Sequence, residues 1–126
     1  MPDEQEQYKR QWRDYRTASG ARPVNDFINQ LSPEDMATVK AAMNDVAREG
    51  LIVARHIRGE IYEVRANGSR QSFRILFATE GRFQHVLLSL EGFSKKTQKT
   101  PQEKIELAER RLRDWRRRGV GEKNKR

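Results

Sequence analysis

The sequence predicts an α+β fold on three observations: a helix-period apolar pattern fills residues 23–50, a strand-period pattern takes over from Arg55, and a capped amphipathic helix follows Thr100. Each element carries its own local signal. The opening stretch YKRQWRDYRTASG suits a short strand that ends at Ser19-Gly20, although Trp12 and Tyr15 also suit a helix face. Pro23 can open a helix in which Val24, Phe27, Ile28 and Leu31 recur at i, i+3, i+4 and i+7. Ser32-Pro33-Glu34-Asp35 then reads as an N-cap, a proline at the first helical position and acids in the first turn. The second helix carries Met36, Val39, Met43 and Val46 on one face and stops at Gly50, so the two helices form a hairpin.

From Arg55 the period is two. IYEVR alternates, Asn67-Gly68 signals a turn, SFRILFA alternates again, Glu80-Gly81 turns, and FQHVLLSLEGF returns, which with the first segment makes about four strands. With Glu80-Gly81 as a two-residue hairpin loop, Thr79 faces Arg82, Ile75 faces Val86 and Phe73 faces Leu88. The opposite face then holds Arg74, Leu76, His85, Leu87 and Ser89, which puts a charge among apolar neighbours. Thr100-Pro101-Gln102-Glu103 reads as a capping box with proline at N1, and Ile105, Ala108, Leu112 and Trp115 form the apolar stripe of the last helix. Arg116, Arg117 and Arg118 fall in its last turn, where cations complement the helix dipole. One domain over 1–118 and a disordered basic tail over 119–126 are expected.

Composition narrows the function. The apolar fraction of 35% implies a small core. With no cysteine, disulfides and thiolate chemistry are excluded. No apolar run approaches a membrane span and Met1 to Gln7 does not read as a signal peptide, so a soluble, cytoplasmic protein with no membrane partner is expected. The net charge of +8 is unevenly placed: residues 1–93 hold 13 Lys/Arg and 13 Asp/Glu, whereas residues 94–126 hold 13 and 5. Such asymmetry suits a polyanion, an acidic partner or a solvated basic helix.

The chemistry on offer is that of cations. Two histidines, His56 and His85, and no glycine-rich phosphate loop leave zinc, triad and nucleotide-cofactor chemistry without components, so no cofactor and no metal are expected. Arg65 ends YEVR, Arg74 sits within FRILF, and Lys95, Lys96 and Lys99 leave the last strand. On the open face of one sheet these cations could hold a phosphodiester and stabilise the extra charge of its transition state, while an RNA substrate supplies its own 2′-OH. The plainer alternatives are that Arg65 pairs with Glu63 on the same strand face, and that Lys104 and Arg110 to Arg118 are the solvated side of an amphipathic helix.

RPV, IRGEIYEVR, FRILF and LEGFSKKTQKTPQEKIELAERRLRDW, in that order, resemble the RelE/ParE superfamily. Within it, they resemble the phage-derived Gp49-like, HigB-type toxins of toxin–antitoxin pairs over about residues 12 to 116. The resemblance implies two N-terminal helices packed on a twisted, mostly antiparallel sheet, with a C-terminal helix. It implies a metal-independent, ribosome-dependent mRNA endonuclease neutralised by a helix-turn-helix, HigA-like antitoxin, with mRNA and ribosomal RNA as partners and DNA reached only through the antitoxin. Carried over by position, Arg65, Arg74 and Lys95 match catalytic basic side chains and Lys96 and Lys99 match substrate-binding ones; Arg58 is a further candidate for substrate binding. Where some members place a tyrosine or histidine as acid or base, this chain has Phe93. Two readings of another class stand beside the enzyme: a non-enzymatic toxin or binding module, such as a ParE-like gyrase poison or an RNA-binding protein, and a degenerate toxin kept as a co-repressor.

Overall fold

A computed structural model describes residues 10–95 and 99–119 of the chain, with the side chain of Lys95 not described. Most of the expected tail, 120–126, and Lys96 lie outside the described residues. Among the described residues the fold is α+β, with three α-helices and one five-stranded sheet. Strand β1 spans Gln11–Asp14, β2 Arg55–Arg58, β3 Ile61–Asn67, β4 Ser72–Glu80 and β5 Val86–Lys95; helix α1 spans Pro23–Asn29, α2 Pro33–Glu49 and α3 Gln102–Arg117. The sheet order is β1-β5-β4-β3-β2, antiparallel except that β1 runs parallel to β5. The strand count therefore exceeds the expected four. The added strand is β2, a four-residue antiparallel edge joined to β3 by the tight turn at Gly59-Glu60 and too short for its alternation to stand out.

The helical signals act as their local chemistry dictates. Pro23 starts α1, and Val24 and Ile28, one turn apart, are buried. Ser32 accepts the Asp35 amide at 3.1 Å, Pro33 takes N1, and Glu34 and Asp35 occupy the positive end of α2. Val39, Met43 and Val46 pack inward, and Gly50, at φ 86°, ends the helix in a conformation that favours glycine. Both helices cover one face of the sheet, against Val64, Ala66, Phe73, Ile75, Phe77 and Leu87. Gly92 lets α1 approach, because a Cβ there would lie 2.6 Å from the Phe27 ring. Helix α3 covers part of the other face, where Ile105, Ala108, Leu112 and Trp115 are buried and the last three pack with Ile61, Leu76, Ala78, Leu88 and Leu90.

The β4–β5 hairpin departs from expectation. Glu80-Gly81 is not a two-residue loop: Glu80 pairs with Val86 and the chain turns through residues 81–85, with Phe83 and Gln84 at φ 60° and 56°. An irregularity between Leu76 and Phe77 shifts the register again, because Leu76 pairs with Glu91 while Phe77 pairs with Ser89. Thr79 consequently faces Leu87, Ile75 faces Gly92 and Phe73 faces Ser94. Leu88, not Leu87 or Ser89, shares the face of Leu76 and Arg74.

Candidate functional site

Two antiparallel strands bring the cations together. The register between β3 and β4 sets Arg65 opposite Arg74 and Glu63 opposite Leu76. Paired side chains share a sheet face, so Glu63, Arg65 and Arg74 all lie on the side that α3 partly covers. The neighbouring ladders set Arg74 opposite Phe93, Ser72 opposite Lys95 and Arg55 opposite Glu63.

Glu63 is the centre of this arrangement. Its side chain is 1% exposed, and a carboxylate so placed persists only if it is paired and hydrogen-bonded. Oε1 accepts Arg65 Nε at 2.8 Å, Oε2 accepts the Thr100 hydroxyl, and Arg74 Nη1 lies 3.7 Å from Oε2. Arg74 also donates to Thr100 Oγ1 at 3.4 Å, which closes the network. The Arg74 side chain is 2% exposed, whereas the Arg65 side chain keeps 25% of its surface in solvent.

The electrostatics are those of crowded cations. Burial pushes the Arg74 guanidinium below its ordinary range, the charge of Glu63 acts in the opposite sense, and Arg65 and Arg55 add repulsion. Arginine remains a cation under such pressure. Arg55, Arg65 and Arg74 around the carboxylate of Glu63 thus leave positive charge in excess at this end of the sheet.

The other expected site residues fall in different places. Lys95 is the last residue of β5 and stands in register with Ser72. Lys99 is exposed beside Thr100. Arg58 is engaged by Glu109 of α3 through two bonds, at 3.0 and 2.8 Å. Phe93 is buried, with the Lys104 ammonium 5.5 Å from its ring centroid and bonded to Glu91 at 2.7 Å. Thr100 is a correction to the capping box: α3 begins at Gln102, Pro101 occupies the cap without a side-chain bond, and the threonine hydroxyl serves Glu63 instead. Glu63 as the hub, Thr100 and Arg55 are the residues that sequence reasoning missed as parts of the site. The Arg65–Glu63 pairing is the one contact that strand parity does reveal. Among the described residues no three His, Cys, Asp or Glu side chains gather as a metal ion would require.

Residues 26–113 match the family model described as phage derived protein Gp49-like. The chain is also 33% identical over 112 residues, 84% of its own length and 85% of the relative's, to a Mycobacterium tuberculosis protein named probable endoribonuclease HigB1, found in two strains.

Proposed function

The chain belongs to the phage-derived Gp49-like family of HigB-type toxins, and from that premise we propose that it is an endoribonuclease that cleaves mRNA on the ribosome without a metal. The observation that carries the reading is the opposed pair Arg65 and Arg74 around buried Glu63, a fixed concentration of positive charge at the sheet end where β5 finishes in Lys95. A phosphodiester gains negative charge on the way to its pentavalent state, and pre-oriented cations stabilise that gain without reorganising. The 2′-oxygen forms a bond to phosphorus as the bond to the 5′-oxygen breaks. The 2′ proton leaves to a base and the 5′-oxygen takes one up, which yields a 2′,3′-cyclic phosphate and a 5′-hydroxyl end.

The exposures divide the labour among the residues. Arg65, partly in solvent, contacts the scissile phosphate with Lys95, while Lys96 and Lys99 hold the flanking backbone. Arg74 acts from beneath, because its guanidinium is buried against Glu63 and Thr100. Arg58 is committed to Glu109 and supports the sheet edge against α3, so we assign it no role at the substrate. A cognate antitoxin is the partner that the toxin family implies, with a helix-turn-helix protein as the reading for its class.

The test is purified protein with ribosomes and a defined mRNA, with and without EDTA, followed by mapping of new 5′ ends. Cleavage that persists in EDTA, leaves 5′-hydroxyl ends and drops on the order of a hundredfold in Arg65→Ala supports the reading; a loss of that size fits removal of one oxyanion-type hydrogen bond. DNA damage without mRNA cleavage would move the chain to the gyrase-poison class.

A further inference from the structure

At the opposite end of α3 from Thr100 the surface forms a second basic region. A groove of about 670 Å³ opens between β1, the turn at residues 17–20 and the end of α3, walled by Arg13, Arg16, Arg22, Arg118 and Trp115, with Asp14 as its acid. The turn is braced: Thr17 accepts the Gly20 amide at 2.9 Å and its hydroxyl accepts the Ala21 amide at 3.0 Å. Asp14 is engaged by Arg22 at 2.6 Å, and Asp114 holds Arg118 at 2.7 Å. Arg13 lies over the Trp115 ring at 5.8 Å, and among the described residues neither Arg13 nor Arg16 forms an ion pair.

This groove continues onto α3. Arg118 lies over Tyr15, 5.6 Å from its ring centroid, and Tyr15 with Asp114 lines a second cavity of about 420 Å³ beside Arg110, Arg113 and Arg117. Arg110, Arg113 and Arg117 recur at helical spacing on the exposed side of α3, and the first two form no ion pair among the described residues. Helix α3 has 16 residues and so is about 24 Å long. The groove is therefore a separate region from the Glu63 network, whose Thr100 lies just before the other end.

We propose that Arg13 and Arg16, with Arg110 and Arg113, form a second RNA-binding surface that holds the phosphodiester backbone away from the point of cleavage. Arginine forks match phosphate oxygens in pairs and keep their charge at any working pH. A folded protein partner is the weaker match, because interfaces between proteins centre on apolar side chains. The exposed large apolar residues among those described are Ile52, Val53 and Phe83, and none lines either cavity. The inference rests on the RNA substrate proposed above but not on the cleavage step. The backbone has two possible sources, ribosomal RNA and the mRNA itself.

The experiment compares the full chain with Arg13→Gln/Arg16→Gln, Arg110→Gln/Arg113→Gln and the single variant Arg16→Gln. Arg16→Gln is included because Arg13 lies over Trp115 and its removal perturbs packing. Binding to 70S ribosomes and to a labelled single-stranded RNA is measured across a salt series, alongside mRNA cleavage. Each double variant should weaken binding several-fold and lower the log–log salt slope by about one for every phosphate left without its arginine, raise KM for cleavage, and leave kcat unchanged. Weakening confined to ribosomes assigns the surface to ribosomal RNA, and weakening on both RNAs assigns it to the message. Weaker RNA binding in a chain that cleaves nothing sustains this surface while refuting the nuclease. Unchanged binding and slope in all three variants, or abolished antitoxin binding with RNA binding intact, overturns the proposal.

Discussion

Arg65 and Arg74 stand directly opposite one another on adjacent antiparallel strands, a like-charged pair held in register. Opposed like charges on a sheet destabilise it, and here Glu63 offsets them, bonded to Arg65 at 2.8 Å and 3.7 Å from Arg74. The pair is thus an arrangement of three residues, in which the acid is as necessary as the two bases.

Removing the acid should therefore cost more than removing a surface charge. Glu63→Gln leaves the Arg74 cation buried without its counter-charge and should lower stability by about 3–5 kcal/mol, the range for breaking a buried pair from one side. Replacing both members, as Glu63→Leu with Arg74→Met, should recover most of that stability. Urea denaturation of the three proteins checks it, and a Glu63→Gln midpoint equal to that of the parent would refute the network.

Thr100 separates a helix cap from a carboxylate partner. Thr100→Ser keeps the hydroxyl and should be nearly silent, whereas Thr100→Val should cost about 1–3 kcal/mol by leaving a Glu63 oxygen without its donor. Thr100→Asp is the deciding variant. Aspartate is a good cap but would set a second carboxylate against Glu63, so thermal melts should show it as the least stable of the three.

Gly92 should tolerate no side chain at its present backbone position. Gly92→Ala drives a methyl group into the Phe27 ring, at 2.6 Å, and toward Ile75, at 3.0 Å, and should cost about 1–3 kcal/mol as overpacking does. Phe27→Leu opens space at the same point. A double-mutant cycle by chemical denaturation should show the two changes to be non-additive, with the pair less damaging than the sum.

Acid should loosen α3. The carboxyls of Glu60, Glu109 and Asp114 are held below their ordinary values, first by the hydrogen bonds they accept from Arg116, Arg58 and Arg118 respectively, with Tyr15 also bonding Asp114. A depressed carboxyl contributes stability that is present above its unfolded pKa and disappears as pH falls through the folded one. Melting temperature should then be insensitive to these groups above about pH 5 and decline below the ordinary values of 4.5 and 3.8. Glu60 is exposed and Glu109 and Asp114 are partly so, so the decline is modest and added salt weakens it further. Glu60→Gln and Glu109→Gln should flatten the curve measured by thermal melts.

The helices were legible because their signals are local. Ser32, Pro33 and Gly50 do within a few residues what their chemistry requires, and the stripe from Ile105 to Trp115 needs only the helical period. Arg74 stood out for the same reason, as a charge at an inward position of an apolar strand. The β4–β5 register was not legible, since a one-residue irregularity opposite Leu76 and Phe77 and a turn with two non-glycine residues at positive φ leave no distinctive mark. Thr100 was misread because Thr-Pro-Gln-Glu satisfies a capping pattern whether or not its hydroxyl is spoken for. Only the tertiary approach of Glu63, 37 residues earlier, decides between the two uses.

The parallel edge strand has a consequence for when the molecule becomes whole. Residues Gln11–Asp14 pair with Val86–Ser89, and Tyr15 reaches Asp114 at 2.6 Å. During synthesis the first strand emerges early and must wait, solvated and unpaired, until most of the chain has followed, because closing so long a loop is repaid only by contacts made at its end. The segment carrying Arg13 and Arg16 thus gains its place only once β5 exists, and its neighbours on α3 come later still. A nascent chain of this design cannot present its finished cationic surfaces to the ribosome that is making it until its last helix has left the exit.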